Sequence, residues 1–132
     1  GMRILQFAFD GNSGNPYLTS NYQANCVVYT GTHDNDTTLG WFSGLSDHEK
    51  QAIYDFLGWS SLPMPQALVH TALASVANLA IIPMQDILRL GSVDRMNTPG
   101  TVEGNWSWEF EWAQLQPEMA EFVAHRIRMF GR

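Results

Sequence analysis

One stretch limits what this chain can fold into more than any other. Val27-Val28-Tyr29, preceded by Cys26, is short, β-branched and aromatic, and after Thr30-Gly31-Thr32 it gives way to six consecutive polar residues, His33-Asp34-Asn35-Asp36-Thr37-Thr38. Leu39 and Trp41 then turn apolar again. An apolar run followed at once by dense polar chemistry predicts a buried strand, Cys26–Thr30, that delivers side chains to a rim. In parallel α/β structures the carboxyl ends of the strands are where sites are built. The same string also suits a polar loop closed by Asx-turns, and spacing alone leaves both open.

Several chemistries are excluded for this cluster. An EF-hand loop counted from Asp34 needs glycine at its sixth position, which here is Leu39. Zinc sites need paired histidines or cysteines at short spacing, whereas His33, His48, His70, His125 and Cys26 are scattered. No glycine-rich phosphate loop occurs. A carboxylate beside an imidazole on a strand end survives, and neither a metal nor an organic cofactor is expected.

The flanking sequence alternates strands and helices. Met2–Phe9 reads as a strand and Asp10–Pro16 as a loop, with Phe9, Tyr17 and Tyr22 expected to pack rather than bind. Ser46 with Glu49 forms a capping box for a helix whose apolar positions are Ala52, Ile53, Phe56 and Leu57, stopped by Gly58. A second helix starts near Pro65 with the stripe Leu68, Ala72, Leu73, Val76 and Ala77. His48 and His70 read as surface histidines. Leu79–Met84 suits a strand buried on both faces, with Asp86 beyond it as a carboxylate that either supports a neighbouring site residue or is structural, not a directly catalytic one. Residues 95 to 108 read as an ordered loop pinned by Trp106 and Trp108, and a last helix opens at Pro117. This order predicts an α/β fold with about three parallel strands and flanking helices.

Composition narrows the partners. Charged residues are only 15% of the 132, and the net charge is −6 with few, dispersed cations, which argues against nucleic acid. One cysteine favours a reducing compartment, hence a cytoplasmic setting, and no membrane-spanning run is visible. The sequons at Asn35 and Asn105 are read as coincidence.

The string Tyr29–Trp41, YTGTHDNDTTLGW, resembles the His-Asp-Asn segment of the amylomaltases, the 4-α-glucanotransferases of starch and maltodextrin metabolism. GMRILQFAFD (Gly1–Asp10) is similar to an adjoining strand of that family, GNPYLTSNY (Gly14–Tyr22) to the following loop, and LAIIPMQDIL (Leu79–Leu88) to its last barrel strand. RMNTPGT (Arg95–Thr101) and GNWSW (Gly104–Trp108) resemble the segment before its terminal helix.

The resemblance implies that residues 1–132 are one partial domain, the C-terminal section of a (β/α)8 TIM barrel. It implies α-1,4-glucans and maltooligosaccharides as substrates, with a plastid as an alternative compartment in a plant or alga. Carried over by position, Asp34 becomes the transition-state stabiliser of a retaining transfer, His33 a sugar-binding residue and Asn35 its companion. The nucleophile and the acid/base fall outside this chain, which is therefore expected to be inactive alone and to need an N-terminal part or self-association. Thr19-Ser20 stand where the family usually has Pro-His, and Glu109 where it commonly has Arg. Two other readings remain: a non-catalytic carbohydrate-binding module, or an assembly unit pairing through exposed sheet edges.

Overall fold

The computed structural model describes residues 1–58 and 61–132. Three short parallel strands, β1 (Met2–Ile4), β2 (Val27–Tyr29) and β3 (Leu79–Ile81), form one sheet in that order, with Val28 level with Arg3 and Ala80. The β1–β2 crossover contains two 3-10 turns, Leu5–Phe7 and Thr19–Asn21, and no α-helix. Three helices carry the chain from β2 to β3: α1 (Thr38–Ser43), α2 (Asp47–Leu57) and α3 (Gln66–Ala74). A single turn, α4 (Met84–Ile87), follows β3, and α5 (Pro117–Met129) closes the chain against α3 and α4.

Strand alternation sorts the side chains into two faces. Val28 is fully buried and packs with Leu5, Ile53, Met64 and Leu68 on the helix side. On the opposite face Met2, Leu79 and Ile81 are 51%, 55% and 40% exposed. Apolar side chains left open on one sheet face are what a section of a barrel presents where the remaining strands would close over it.

The capping box at Ser46 and Glu49 is formed as expected, with Gly58 at φ 69° ending α2. Several expectations fail locally. The Met2–Phe9 strand stops at Ile4, because the chain turns into 3-10 geometry and the Gln6 side chain binds the Asp36 carbonyl (3.0 Å) and Thr38 Oγ1 (3.4 Å). The Leu79–Met84 strand stops at Ile81, and Pro83 caps a helix that begins at Met84. That strand is also not buried on both faces, since Leu79 and Ile81 sit on the open side.

His70 also departs from expectation, being buried rather than on the surface. Its Nδ1 accepts from Arg126 Nε at 3.0 Å, tying α3 to α5. Helix α3 ends at Ala74, so Val76 lies beyond it and is exposed. Arg132 binds the Leu73 and Ser75 carbonyls at 2.8 and 2.7 Å, filling acceptors left open at the α3 C-terminus.

Candidate functional site

The carboxyl end of the sheet opens into a cavity of about 480 Å³ whose wall includes Tyr29, Thr32, His33, Asn35, Gln85, Arg95 and Trp106. The loop after β2 reaches this rim through Gly31, where a Cβ would collide with the Gln6 side-chain amide. Only glycine lets the chain pass over that amide, and the amide in turn holds the Asp36 carbonyl.

Beneath the rim lies Asp86, 2% exposed. Its Oδ2 accepts from Thr30 Oγ1 (2.6 Å) and Thr38 Oγ1 (2.7 Å), and its Oδ1 from the Thr38 N–H (2.9 Å). This carboxylate welds the end of β2 to the start of α1, the structural role the sequence suggested. Burial pushes its pKa above the usual carboxylate range, the three hydrogen bonds pull it down, and the charge of Asp36 adds to the upward push. Asp36 is committed too: Oδ2 accepts from Ser92 Oγ at 2.7 Å and Oδ1 from the Thr37 N–H at 2.8 Å. Gly40 is needed there, since a Cβ would lie 2.6 Å from Asp36 Oδ1.

Asp34 is placed differently. Its side chain is 55% exposed at the cavity rim, and its neighbours His33 and Asn35 line the wall while Asp34 itself does not. Oδ2 stands 3.4 Å from His33 Nε2, and Oδ1 accepts from Asn97 Nδ2 at 2.7 Å. The Asp34 carbonyl accepts from Arg95 Nη2 at 3.2 Å. Asn35 closes the turn, its Oδ1 accepting from the Thr32 N–H (2.8 Å) and Thr32 Oγ1 (2.9 Å). The strand-end reading therefore describes this stretch, while its turn is not an Asx-turn: Asn35 reaches back to Thr32, Thr32 Oγ1 accepts from the Asp34 N–H at 3.3 Å, and the turn presents His33 and Asp34.

His33, Asp34 and Asn35 lie together as the residue order places them, but the sequence offers no site role for Arg95, Asn97 and Trp106, which reach the same rim from 61 to 73 residues further along the chain. The RMNTPG and GNWSW strings were the available signal. The loop that carries them closes on itself, with the Trp106 N–H on the Met96 carbonyl (2.8 Å) and Asn105 bound to Thr98 and Thr101. Trp108 Nε1 donates to Asp94 at 2.9 Å, so this ring pins the loop as expected. Trp106 instead is 62% exposed and faces His33. Glu109 makes no ion pair among the described residues. Among those residues no group of three or more His, Cys, Asp or Glu side chains is placed to hold a metal ion, and no helix is long and apolar enough to cross a membrane.

Comparison with known proteins gives one consistent answer. Residues 1–115 match the family model described as 4-alpha-glucanotransferase. The chain is 47% identical to a 4-alpha-glucanotransferase of Synechocystis, over 100% of this chain and 26% of the relative. It is 49% identical to one of Thermus thermophilus, over 89% of this chain and 25% of the relative. A rice relative named as chloroplastic/amyloplastic is 47% identical over 92% of this chain and 21% of its own length. In three dimensions the chain superimposes on an amylomaltase from Streptococcus agalactiae in complex with acarbose, with a TM-score of 0.93 and 32% identity, over 100% of this chain and 27% of that one. The chain thus spans about a quarter of the length of the relatives it matches.

Proposed function

The chain belongs to the 4-alpha-glucanotransferase family, and from that premise we propose that it supplies the C-terminal quarter of a barrel that transfers α-1,4-glucan segments, with Asp34 as the transition-state stabiliser. The observation that carries this reading is the contrast among the rim acids. Asp36 and Asp86 are tied into the scaffold, whereas Asp34 is exposed at the mouth of an open cavity beside an imidazole. A carboxylate held near the sugar ring stabilises the oxocarbenium charge that develops as the glycosidic bond breaks.

A retaining transfer needs two further carboxyl groups roughly 5–5.5 Å apart. One attacks the anomeric carbon as the other protonates the departing oxygen; in the second step that other group, now a carboxylate, takes the proton of an acceptor sugar hydroxyl as its oxygen attacks the anomeric carbon and displaces the first carboxylate. In this reading both groups come from the part of the barrel that packs on the open sheet face, and the 132-residue chain is inactive by itself. His33 binds sugar hydroxyls at the reacting ring, and Asn35, through the turn it closes, keeps them in register. The substrates are α-1,4-glucans and maltooligosaccharides; the acarbose bound to the Streptococcus agalactiae neighbour supports a glucan-shaped site.

The test is a chimera in which this chain replaces the matching quarter of the Synechocystis relative, assayed for glucose released from maltotriose. The chimera is expected to be active and the isolated chain inactive. Asp34→Asn should lower the chimera's rate by roughly 100- to 1,000-fold, about the effect of removing one charge-stabilising group. An Asp34→Asn chimera with unchanged rate would mean that the stabilising role belongs elsewhere.

A further inference from the structure

Trp106 stands out on two independent grounds. Its φ is 60°, in the left-handed region that a bulky aromatic residue rarely enters. Its ring centroid also lies 4.8 Å from that of His33, with the planes at 45°. A strained backbone persists only where its surroundings over-determine it, and such residues gather at functional sites. Here the surroundings are visible: the Trp106 N–H is held by the Met96 carbonyl, and the preceding Asn105 is held by Thr98 and Thr101. The loop forces the left-handed turn, and the turn sends an exposed indole onto His33.

The same loop grips the next residue. Asn97 binds the Asp34 carboxylate, and Arg95 binds the Asp34 carbonyl (3.2 Å) while its Nε binds the Asn97 carbonyl (3.2 Å). His33 and Asp34 are both more than half exposed, so nothing buried fixes their side chains. What limits their rotation is this loop, closing from the other side of the cavity.

We infer that Trp106 is a positioning residue for His33, the aromatic half of a clamp whose polar half is Asn97 on Asp34. The clamp rests on the roles given above to His33 and Asp34. It predicts that the indole acts through the imidazole rather than as a separate sugar platform.

A double-mutant cycle in the chimera separates these two possibilities. Trp106→Ala should lower kcat about tenfold with KM nearly unchanged, and Trp106→Phe should recover most of the loss. In the His33→Ala background, Trp106→Ala should add nothing. Multiplicative losses, or a Trp106→Ala effect confined to KM, would overturn the clamp in favour of a ring that touches sugar on its own. An unaltered kcat in Trp106→Ala would overturn it outright. Thermal melts of each variant distinguish a lost clamp from a lost fold.

A second measurement uses this chain alone. An indole 4.8 Å away should displace the ring-proton resonances of His33, and Trp106→Ala should return them to ordinary positions. Undisplaced resonances in the unsubstituted chain would also defeat the inference. The two readings fail separately. An active Asp34→Asn chimera defeats the assignment of the site, whereas an inactive one with a multiplicative Trp106–His33 cycle defeats only the clamp.

Discussion

Asp34 and Asp86 lie close to the same strand end and face opposite physical conditions. Asp86 is 2% exposed and accepts three hydrogen bonds, two of them from threonine hydroxyls on different elements. Asp34 is more than half exposed, and among the described residues its only side-chain donor closer than 3 Å is Asn97, from a distant loop. A carboxylate that satisfies buried donors is part of the fold and is unavailable to a substrate. One left at the rim contributes little to the fold and can respond to charge developing in front of it. The difference shows why an acid-rich loop should be sorted by what each acid already holds before any of them is given a chemical role.

The comparison breaks most visibly at Asp86. Replacing it with alanine strands the Thr30 and Thr38 hydroxyls and the Thr38 N–H without their acceptor, and should cost roughly 3 kcal/mol or more. A denaturant titration that found less than about 1 kcal/mol would show the weld to be dispensable.

Buried titratable groups sharpen the contrast through pH. His70 has its pKa lowered, first by burial and then by the Arg126 charge. Folded, it resists a proton that the unfolded chain accepts near pH 6.5. The unfolded state therefore holds more protons below that pH, and the His70 contribution, complete above 6.5, is lost as pH falls through the folded value. Protonation at Nδ1 would also break the bond from Arg126. Asp86 has the opposite sign: its folded pKa is raised, so its contribution declines as pH rises through the window starting near its ordinary 3.8. The two groups therefore act in opposite directions on acidification from pH 7 towards 5, and His70→Phe should remove the part that falls, making the slope of unfolding free energy against pH less positive. A slope unaltered in His70→Phe would assign it to other groups.

The smallest effect is expected at the rim. Asn97→Ala removes the donor to Asp34 but no buried contact, so stability should change by about 0.5 kcal/mol or less. A loss comparable to that of Asp86→Ala would erase the distinction between the two aspartates.

Much of this arrangement was legible in the residue order. The Val27–Tyr29 strand, its polar continuation, the Ser46–Glu49 capping box and the Pro117 helix start depend on neighbours a few positions away, where propensity and capping chemistry act. The His33-Asp34-Asn35 cluster was visible for the same reason. Strand ends were less legible. Gln6 draws β1 out of the ladder through partners 30 and 32 residues away, and no local pattern reports that.

By itself, then, the sequence determined the order of the three strands and of helices α2, α3 and α5, the family, and the string His33-Asp34-Asn35, but not the short helices α1 and α4. Tertiary structure alone decided which acids are bound and which is exposed. It also buried His70 between two helices and folded the 95–106 loop back onto His33 and Asp34. The reason is distance along the chain. Burial, hydrogen bonds and ring contacts between residues 48 to 73 positions apart arise only when the sheet brings those segments together, and local preference carries no record of them.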